Sequence, residues 1–248
     1  MRLGSTALAT GRVERRLAAT LAADVAGYTR LMGTHEEGTL AGLKVIRREV
    51  ADPKIQEHRG RIVKTTGDGL LVEFTSVVDA VRCAVDVQRK LAERNVDVPP
   101  DRRIELRMGI NLGDIIKDGR DIYGDGVNIA AGLVALAEPG DICISPVVRD
   151  RIRDEFPYIF EDRGEHSIEN VARPVGVYAM DATVIASLPP VSTTVHAAST
   201  SRGFRAIASA HSRLLVRSRR SQSPLFSQTS SSLLTLLRTF FDSICRMN

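Results

Sequence analysis

Residues 61–74, Arg-Ile-Val-Lys-Thr-Thr-Gly-Asp-Gly-Leu-Leu-Val-Glu-Phe, constrain the fold more than any other stretch of this chain. Two strand-like runs, Arg61–Thr65 and Leu70–Phe74, flank the centre Thr66-Gly67-Asp68-Gly69. Glycines at a tight reversal supply the backbone freedom that it needs, so the segment predicts a β-hairpin with Asp68 in its turn. A lone hairpin is barely stable in water, and this one needs further strands beside it. Leu17–Ala23 offers one, a short apolar run that stops at Asp24 and reads as a buried strand.

Helical and strand-like segments interleave along the rest of the chain. From Tyr28 to about Glu57 the apolar positions Leu31, Leu40, Leu43, Ile46 and Val50 recur at helical spacing, with breaks near Gly33 and Pro53. Ser76 is placed to cap a helix that carries Val77, Val81, Val85, Gln88 and Leu91 on one side. Ile104–Ile116, Ile142–Ser145 and Val175–Met180 read as strands; Gly126–Ala137 and Pro146–Glu155 read as helices, the second opened by proline. The predicted class is α+β, an antiparallel sheet with helices packed on it.

Charge divides the chain. Thr183–Asn248 holds eight arginines, no lysine and one acid, Asp242, a net of +7, which leaves −3 for residues 1–182 of a chain whose total is +4. A nucleic-acid-binding body carries its basic excess on the folded surface, so this division argues against nucleic acid as a partner. Cys83, Cys143 and Cys245 lie far apart with no CxxC or Cys/His spacing, which suggests neither a disulfide framework nor a zinc site and points to a reducing compartment. No run reaches the length of a membrane span, so the expectation is a cytoplasmic protein.

The candidate chemistry lies at strand ends and turns. Asp24 ends the first strand and Asp68 sits in the hairpin turn, so adjacent strands would bring both carboxylates to one sheet edge. Hard carboxylate oxygens beside a substrate's phosphates are how magnesium is commonly bound. Gly27-Tyr28-Thr29 follows Asp24 at once and opens a helix, where backbone N–H groups could receive phosphates. Taken singly, an aspartate in a glycine-rich turn is a turn former, and Asp24 could be no more than a helix cap.

Read together, the motifs say more. Leu-Ala-Ala-Asp24-Val-Ala-Gly27-Tyr-Thr, Lys64-Thr-Thr-Gly67-Asp68-Gly69, Arg107-Met-Gly109-Ile-Asn111-Leu-Gly113 and Asp121-Ile-Tyr-Gly124-Asp-Gly-Val-Asn128-Ile-Ala resemble, in order, those of class III adenylate cyclase catalytic domains. Glu161-Asp-Arg-Gly164 through Asn170-Val-Ala-Arg-Pro174-Val is similar to the end of that domain in its soluble bacterial branch. The resemblance covers about two thirds of the chain. It implies a ferredoxin-like, palm-like sheet over residues 16–182, an N-terminal extension over 1–15 and a separate tail over 183–248.

It also implies a site, residue by residue. Asp24 and Asp68 would bind two Mg²⁺ (or Mn²⁺) ions, with the Val25 carbonyl as a further ligand, and Arg107 would help to neutralise phosphate charge. Lys64 and Asp121 match the pair that reads adenine, the lysine donating to ring N1 and the aspartate accepting from the 6-amino group. Guanine presents the opposite pattern, so the pair favours ATP. Asn128 matches the residue that orients the ribose and supports the transition state. The implied reaction is attack of the ATP 3′-oxygen on the α-phosphorus, giving cyclic AMP and pyrophosphate, at a site shared between two domains of a homodimer or of a heterodimer with a related cyclase domain.

Three positions depart from the family pattern. One turn after Asn128, where the family has a transition-state arginine, stands Gly132, and Val134 stands where an acid is usual; Glu169 falls in a segment that usually carries a lysine. An arginine acting on a transferring phosphoryl group supplies roughly 10³- to 10⁵-fold in rate, so the expectation is a weakened cyclase whose rate Gly132→Arg would raise. The alternative is a degenerate domain that binds nucleotide, or pairs with an intact relative, without turnover. A polymerase or diguanylate cyclase is disfavoured by Lys64 with Asp121 and by the lack of a GGDEF-like turn. The tail reads as disordered on its Ser/Arg content; the competing readings are a partner or membrane-surface helix through Leu233, Leu236, Leu237, Phe240, Phe241 and Ile244, and the product of a frame change.

Overall fold

The structure, a computed structural model, describes residues 14–156 and 158–188. The expectations for the tail beyond Leu188, and for the extension before Glu14, lie outside the described residues.

Strand β1, Glu14–Val25, lies inside the sheet. Its last eight residues are all buried, which is why it reads as a continuous apolar run. The hairpin is formed by β2, Arg61–Thr66, and β3, Gly69–Phe74. A long strand β4, Leu106–Asp118, turns into a short β5, Asp121–Tyr123; β6, Ile142–Ile144, β7, Glu161–His166, and β8, Val175–Met180, complete the sheet. The order is β2-β3-β1-β4-β6-β8-β7, with β5 on β4. All pairings are antiparallel except β4 with β6. The sheet is therefore mixed, where the sequence predicts an antiparallel one. The exception arises because the chain passes from β4 to β6 through a helix, α4, Asp125–Leu136, and such a crossover returns the chain parallel.

Helix α1, Tyr28–Ile46, is broken at His35 rather than at Gly33; it runs through a π turn, Arg47–Ala51, into α2, Asp52–Glu57, with Pro53 in the first turn. Helix α3, Val77–Arg94, is capped as expected, the Ser76 hydroxyl accepting from the Asp79 N–H at 3.2 Å. Helix α5, Pro146–Ile152, opens with its proline. A last helix, α6, Ala182–Ser187, buries Ile185, so packed structure continues into the segment that composition groups with the tail. Similarly, β1 begins inside the predicted N-terminal extension.

Alternation along β1 gives each sheet face its own core. Ala19, Leu21, Ala23 and Val25 join Val72, Phe74 and residues of α1, α3, α5 and α6. Ala18 and Ala22 join Leu71, Ile115, Ile122 and the α4 residues Val127, Ala130 and Val134. Helix α4 lies so close to β4 that a Cβ at Gly109 would meet the Ala130 carbonyl and the Val134 N–H; only glycine fits there.

Candidate active site

Asp24 lies at the end of β1, and its cross-strand partner on β4 is Arg107. The guanidinium grips the carboxylate in two places, Nε to Oδ1 at 2.9 Å and Nη2 to Oδ2 at 2.6 Å. Asp24 is only 8% exposed. Burial raises its pKa, against the hydrogen bond and charge of Arg107. Asp68, in the β2–β3 turn, is also shifted upward, by burial first and also by the charge of Asp24; its own N–H and that of Val25 pull the other way. The hairpin thus delivers the second carboxylate to the edge where the first sits.

Two desolvated carboxylates, the charge of Asp24 raising Asp68, are served by one guanidinium and form a site short of positive charge. A carboxylate has about four lone-pair positions, so Asp24 keeps acceptor capacity beside Arg107. The donor set is all oxygen and fits a hard divalent ion such as Mg²⁺ or Mn²⁺. Val25 is 2% exposed and supplies its N–H to Asp68. Gly27, with φ 64°, lets the chain turn sharply from β1 into α1, and no side chain caps the helix there. Tyr28 and Thr29 open that helix, and the Tyr28 phenol is pushed up by burial and then by the nearby Asp68.

Lys64 lies on the edge strand β2 and Asp121 on β5, which branches from β4. Strands β3, β1 and β4 separate β2 from β5, which in a flat sheet is roughly 19 Å. Yet Lys64 Nζ donates to Asp121 Oδ2 at 3.4 Å, so the sheet curls until β2 and β5 meet. Asp121 also accepts from the Tyr123 hydroxyl at 3.2 Å and, through Oδ1, from the Ile122 N–H at 2.9 Å. These bonds fix the carboxylate that the sequence pairs with Lys64.

Asn128 is half-buried in the first turns of α4, its N–H donating to the Gly124 carbonyl at 3.1 Å. Gly132 is covered. The side chain of Ile168, from the segment between β7 and β8, rests on it, and a Cβ at 132 would overlap that side chain. Ile168 is 6% exposed. Val134 is 2% exposed in the core between α4 and the sheet, and Glu169 is exposed. The expectation that Gly132→Arg simply restores a cation therefore needs correction: the room an arginine stem would use is filled by Ile168.

Three residues had no role in the sequence reading. Asn111 is 3% exposed and donates to the Gly126 carbonyl at 3.1 Å, holding the start of α4 to β4. Ile168 and Arg61 are the others, and neither belongs to a motif spacing that would have marked it. Away from the Asp24 edge, Glu57, His58 and Asp86 form a further group of possible metal ligands, but the Lys54 ammonium already sits among them, 2.8 Å from Glu57 and 3.5 Å from Asp86.

This sheet order, with paired carboxylates at one edge and a lysine–aspartate contact across the curl, defines a nucleotidyl cyclase domain, and a family model agrees. The adenylate and guanylate cyclase catalytic domain matches residues 16–182, two thirds of the chain, and the chain belongs to that family. Among its relatives is the Rhizobium meliloti protein named "Putative adenylate cyclase 3", 44% identical over 183 residues, 74% of this chain and 31% of the relative. The chain thus spans about a third of the length of that relative, and also of the adenylate cyclase of Glutamicibacter nicotianae, which is 30% identical over 137 residues. A crystal structure of an adenylate/guanylate cyclase/hydrolase from Silicibacter pomeroyi is 46% identical, with a TM-score of 0.65 over 67% of this chain and 97% of that one. The adenylyl cyclase CyaB from P. aeruginosa gives 25% identity and a TM-score of 0.58 over 68% and 96%. Among the described residues no helix is long and apolar enough to cross a membrane.

Proposed function

We propose that the chain is an adenylate cyclase that converts ATP to 3′,5′-cyclic AMP and pyrophosphate at sites shared between two cyclase domains. The observation that carries the choice of ATP is the contact of Lys64 with Asp121. One donor and one acceptor held side by side, each already committed to a polar partner, match the N1 acceptor and 6-amino donor of adenine. Guanine would leave both unpaired, and buried unpaired polar groups discriminate strongly.

At the other part of the site, Asp24 and Asp68 would hold the two ions. When bound, Mg²⁺ or Mn²⁺ would supply Lewis-acid polarisation of the attacking and leaving oxygens. The chain's own groups do the rest. Arg107 balances the carboxylates before substrate arrives and is placed to meet phosphate charge afterwards; the open turn at Gly27, Tyr28 and Thr29 offers backbone N–H groups to the phosphates. Asn128, one turn before Gly132, offers an amide to the ribose. No covalent protein nucleophile is required, because the nucleophile is the substrate's own 3′-oxygen.

The contact of Ile168 with Gly132 favours a second reading beside the first. A homodimer would carry no arginine at position 132 in either of its two sites. A related domain that retains the arginine would complete one site with this chain's Asp24 and Asp68, making a heterodimer the faster enzyme. Cyclic AMP formation from ATP with Mn²⁺ and with Mg²⁺, by the chain alone and mixed with an arginine-bearing relative, tests both. Product from the chain alone is the expected result. Silence in every mixture, from folded and dimeric protein, contradicts the enzyme reading.

A further inference from the structure

Two hydrogen bonds join β2 to the segment carrying Asp121. One is the contact of Lys64 with Asp121 itself, and the other runs from Arg61 Nη1 to the carbonyl of Arg120, at 2.9 Å. The first cannot persist unchanged while both its members turn to a purine. The second makes no use of the groups that read the base, and it ends on the residue that precedes Asp121.

The strand is shaped so that Arg61 can do this. Residues three apart on a regular strand face opposite sides of the sheet. Between Ile62 and Lys64 the register with β3 slips by one: Arg61 pairs with Glu73 and Lys64 with Leu71. Glu73 and Leu71 are two apart and share a face, so the bulge puts Arg61 and Lys64 on one face as well. That face is the one on which β5 arrives.

Arg61 is itself held. Its Nε and Nη2 donate to one oxygen of Glu73, at 3.1 and 2.5 Å, and Arg16 of β1 takes the other oxygen. Glu73 is 4% exposed, so this carboxylate is a fixed anchor on β3, one strand in from the edge. The planar guanidinium reaches two sites at once, its Nε and Nη2 on Glu73 and its Nη1 on the Arg120 carbonyl. A chain of fixed bonds thus runs from Glu73 through Arg61 to Arg120, and ends beside Asp121.

We propose that Arg61, anchored by Glu73, is a positioning residue for purine recognition: it pins the turn between β4 and β5 to β2, so that Asp121 stays at the correct distance from Lys64 when a nucleotide separates them. The inference rests on the reading of Lys64 and Asp121 as the base-reading pair. It assigns Arg61 the selectivity between ATP and GTP, and gives it no contact with the nucleotide.

The test is equilibrium binding, with Mn²⁺, of 3′-deoxy-ATP and 3′-deoxy-GTP, which lack the attacking oxygen, to the full chain. Arg61→Ala should lower the preference for the adenine nucleotide by roughly 10-fold, and Arg61→Lys by roughly 3-fold, since an ammonium lacks the fork that spans both acceptors. Arg61→Lys keeps a cation against Glu73 and carries the test if the alanine variant is unstable. In an Asp121→Ala background, Arg61→Ala should change the preference no further, because the positioned group is gone. An unchanged preference in both single variants overturns the proposal, as does a fall that persists without Asp121. Wild-type protein that binds neither nucleotide overturns the cyclase reading and takes this inference with it; wild type that prefers the adenine analogue while Arg61 variants match it overturns the inference alone.

Discussion

The carboxylate edge and the α4 helix face make opposite use of the same fold. At the edge, Asp24, Asp68 and Arg107 come together because two strand registers and one hairpin turn fix them, and every residue that the cyclase reading needs there is present. On α4, Asn128 is in place, but one turn further the helix offers Gly132 to Ile168 and Val134 to the core. The edge keeps charged groups close together against the cost of burying them. On the helix, positions 132 and 134 serve packing. In the proposed shared site, this chain would supply a complete carboxylate edge, and an arginine-bearing partner would supply the cation that α4 lacks.

The largest effect expected from this contrast comes from placing a cation on α4. Gly132→Arg together with Ile168→Ala should raise cyclic AMP formation by roughly 10³-fold, the lower end of what an arginine supplies to phosphoryl transfer. Turnover no faster than wild type, in protein that still forms its dimer, would remove position 132 from the catalytic account. Next comes the edge: Asp24→Ala should cut turnover by roughly 10²-fold or more, as losses of preorganised charge groups do. Steady-state rates with Mn²⁺ in excess check this, and a rate within a few-fold of wild type would break the contrast from the other side.

Gly132→Arg alone should behave differently from the pair. Overpacking a filled site costs about 1–3 kcal/mol, and the guanidinium stem would have to push Ile168 aside. For a domain of this size that is a fall in Tm of roughly 2–4 °C per kcal/mol, read by thermal unfolding, with Ile168→Ala recovering most of it. A Tm unchanged by Gly132→Arg would mean that the segment around Ile168 yields freely.

How far these two regions could be read in the sequence differs for physical reasons. The hairpin around Asp68, the strand ending at Asp24, the Ser76 cap and the proline that opens α5 follow from local rules, and each stands where the sequence predicts it. Strand β7 was missed because Glu161–His166 is an exposed run of polar residues with no apolar face to give it a period. Strand β5 is three residues long, and no periodicity can mark it. The parallel pairing of β4 with β6 follows from the crossover through α4, which is a tertiary fact. The glycine at 132 was legible as a missing arginine. That Ile168 fills the space was not, since it depends on a segment 36 residues away folding back onto the helix. Arg61 was equally hidden, because its partners Glu73 and Arg120 meet it only when the sheet curls.

Smaller effects belong to the helices behind the sheet, where charge serves stability. Burial raises the pKa of Asp86, but the His58 hydrogen bond and Lys54 outweigh it and leave the carboxyl below its ordinary value. A lowered carboxylate stabilises the fold above its unfolded pKa, and that contribution fades as pH falls through the folded value. Asp86→Asn should therefore cost about 1–2 kcal/mol at neutral pH and progressively less below the ordinary carboxylate range, as measured by urea unfolding at several pH values. A penalty that is constant with pH would make the loss one of packing. Least of all should happen at Cys83 and Cys143, whose thiols burial pushes up to about 12; in native protein both should resist alkylation at neutral pH until the fold opens.

The most direct test of the central claim is product analysis. Purified protein, with ATP and GTP in equal amounts and Mn²⁺ in excess, is assayed beside its Asp68→Ala variant. Cyclic AMP as the main product of the wild type, and none from the variant, is the predicted result. Cyclic GMP as the main product would contradict the reading of Lys64 and Asp121, and cyclic AMP formation that survives Asp68→Ala would contradict the carboxylate edge as the catalytic centre.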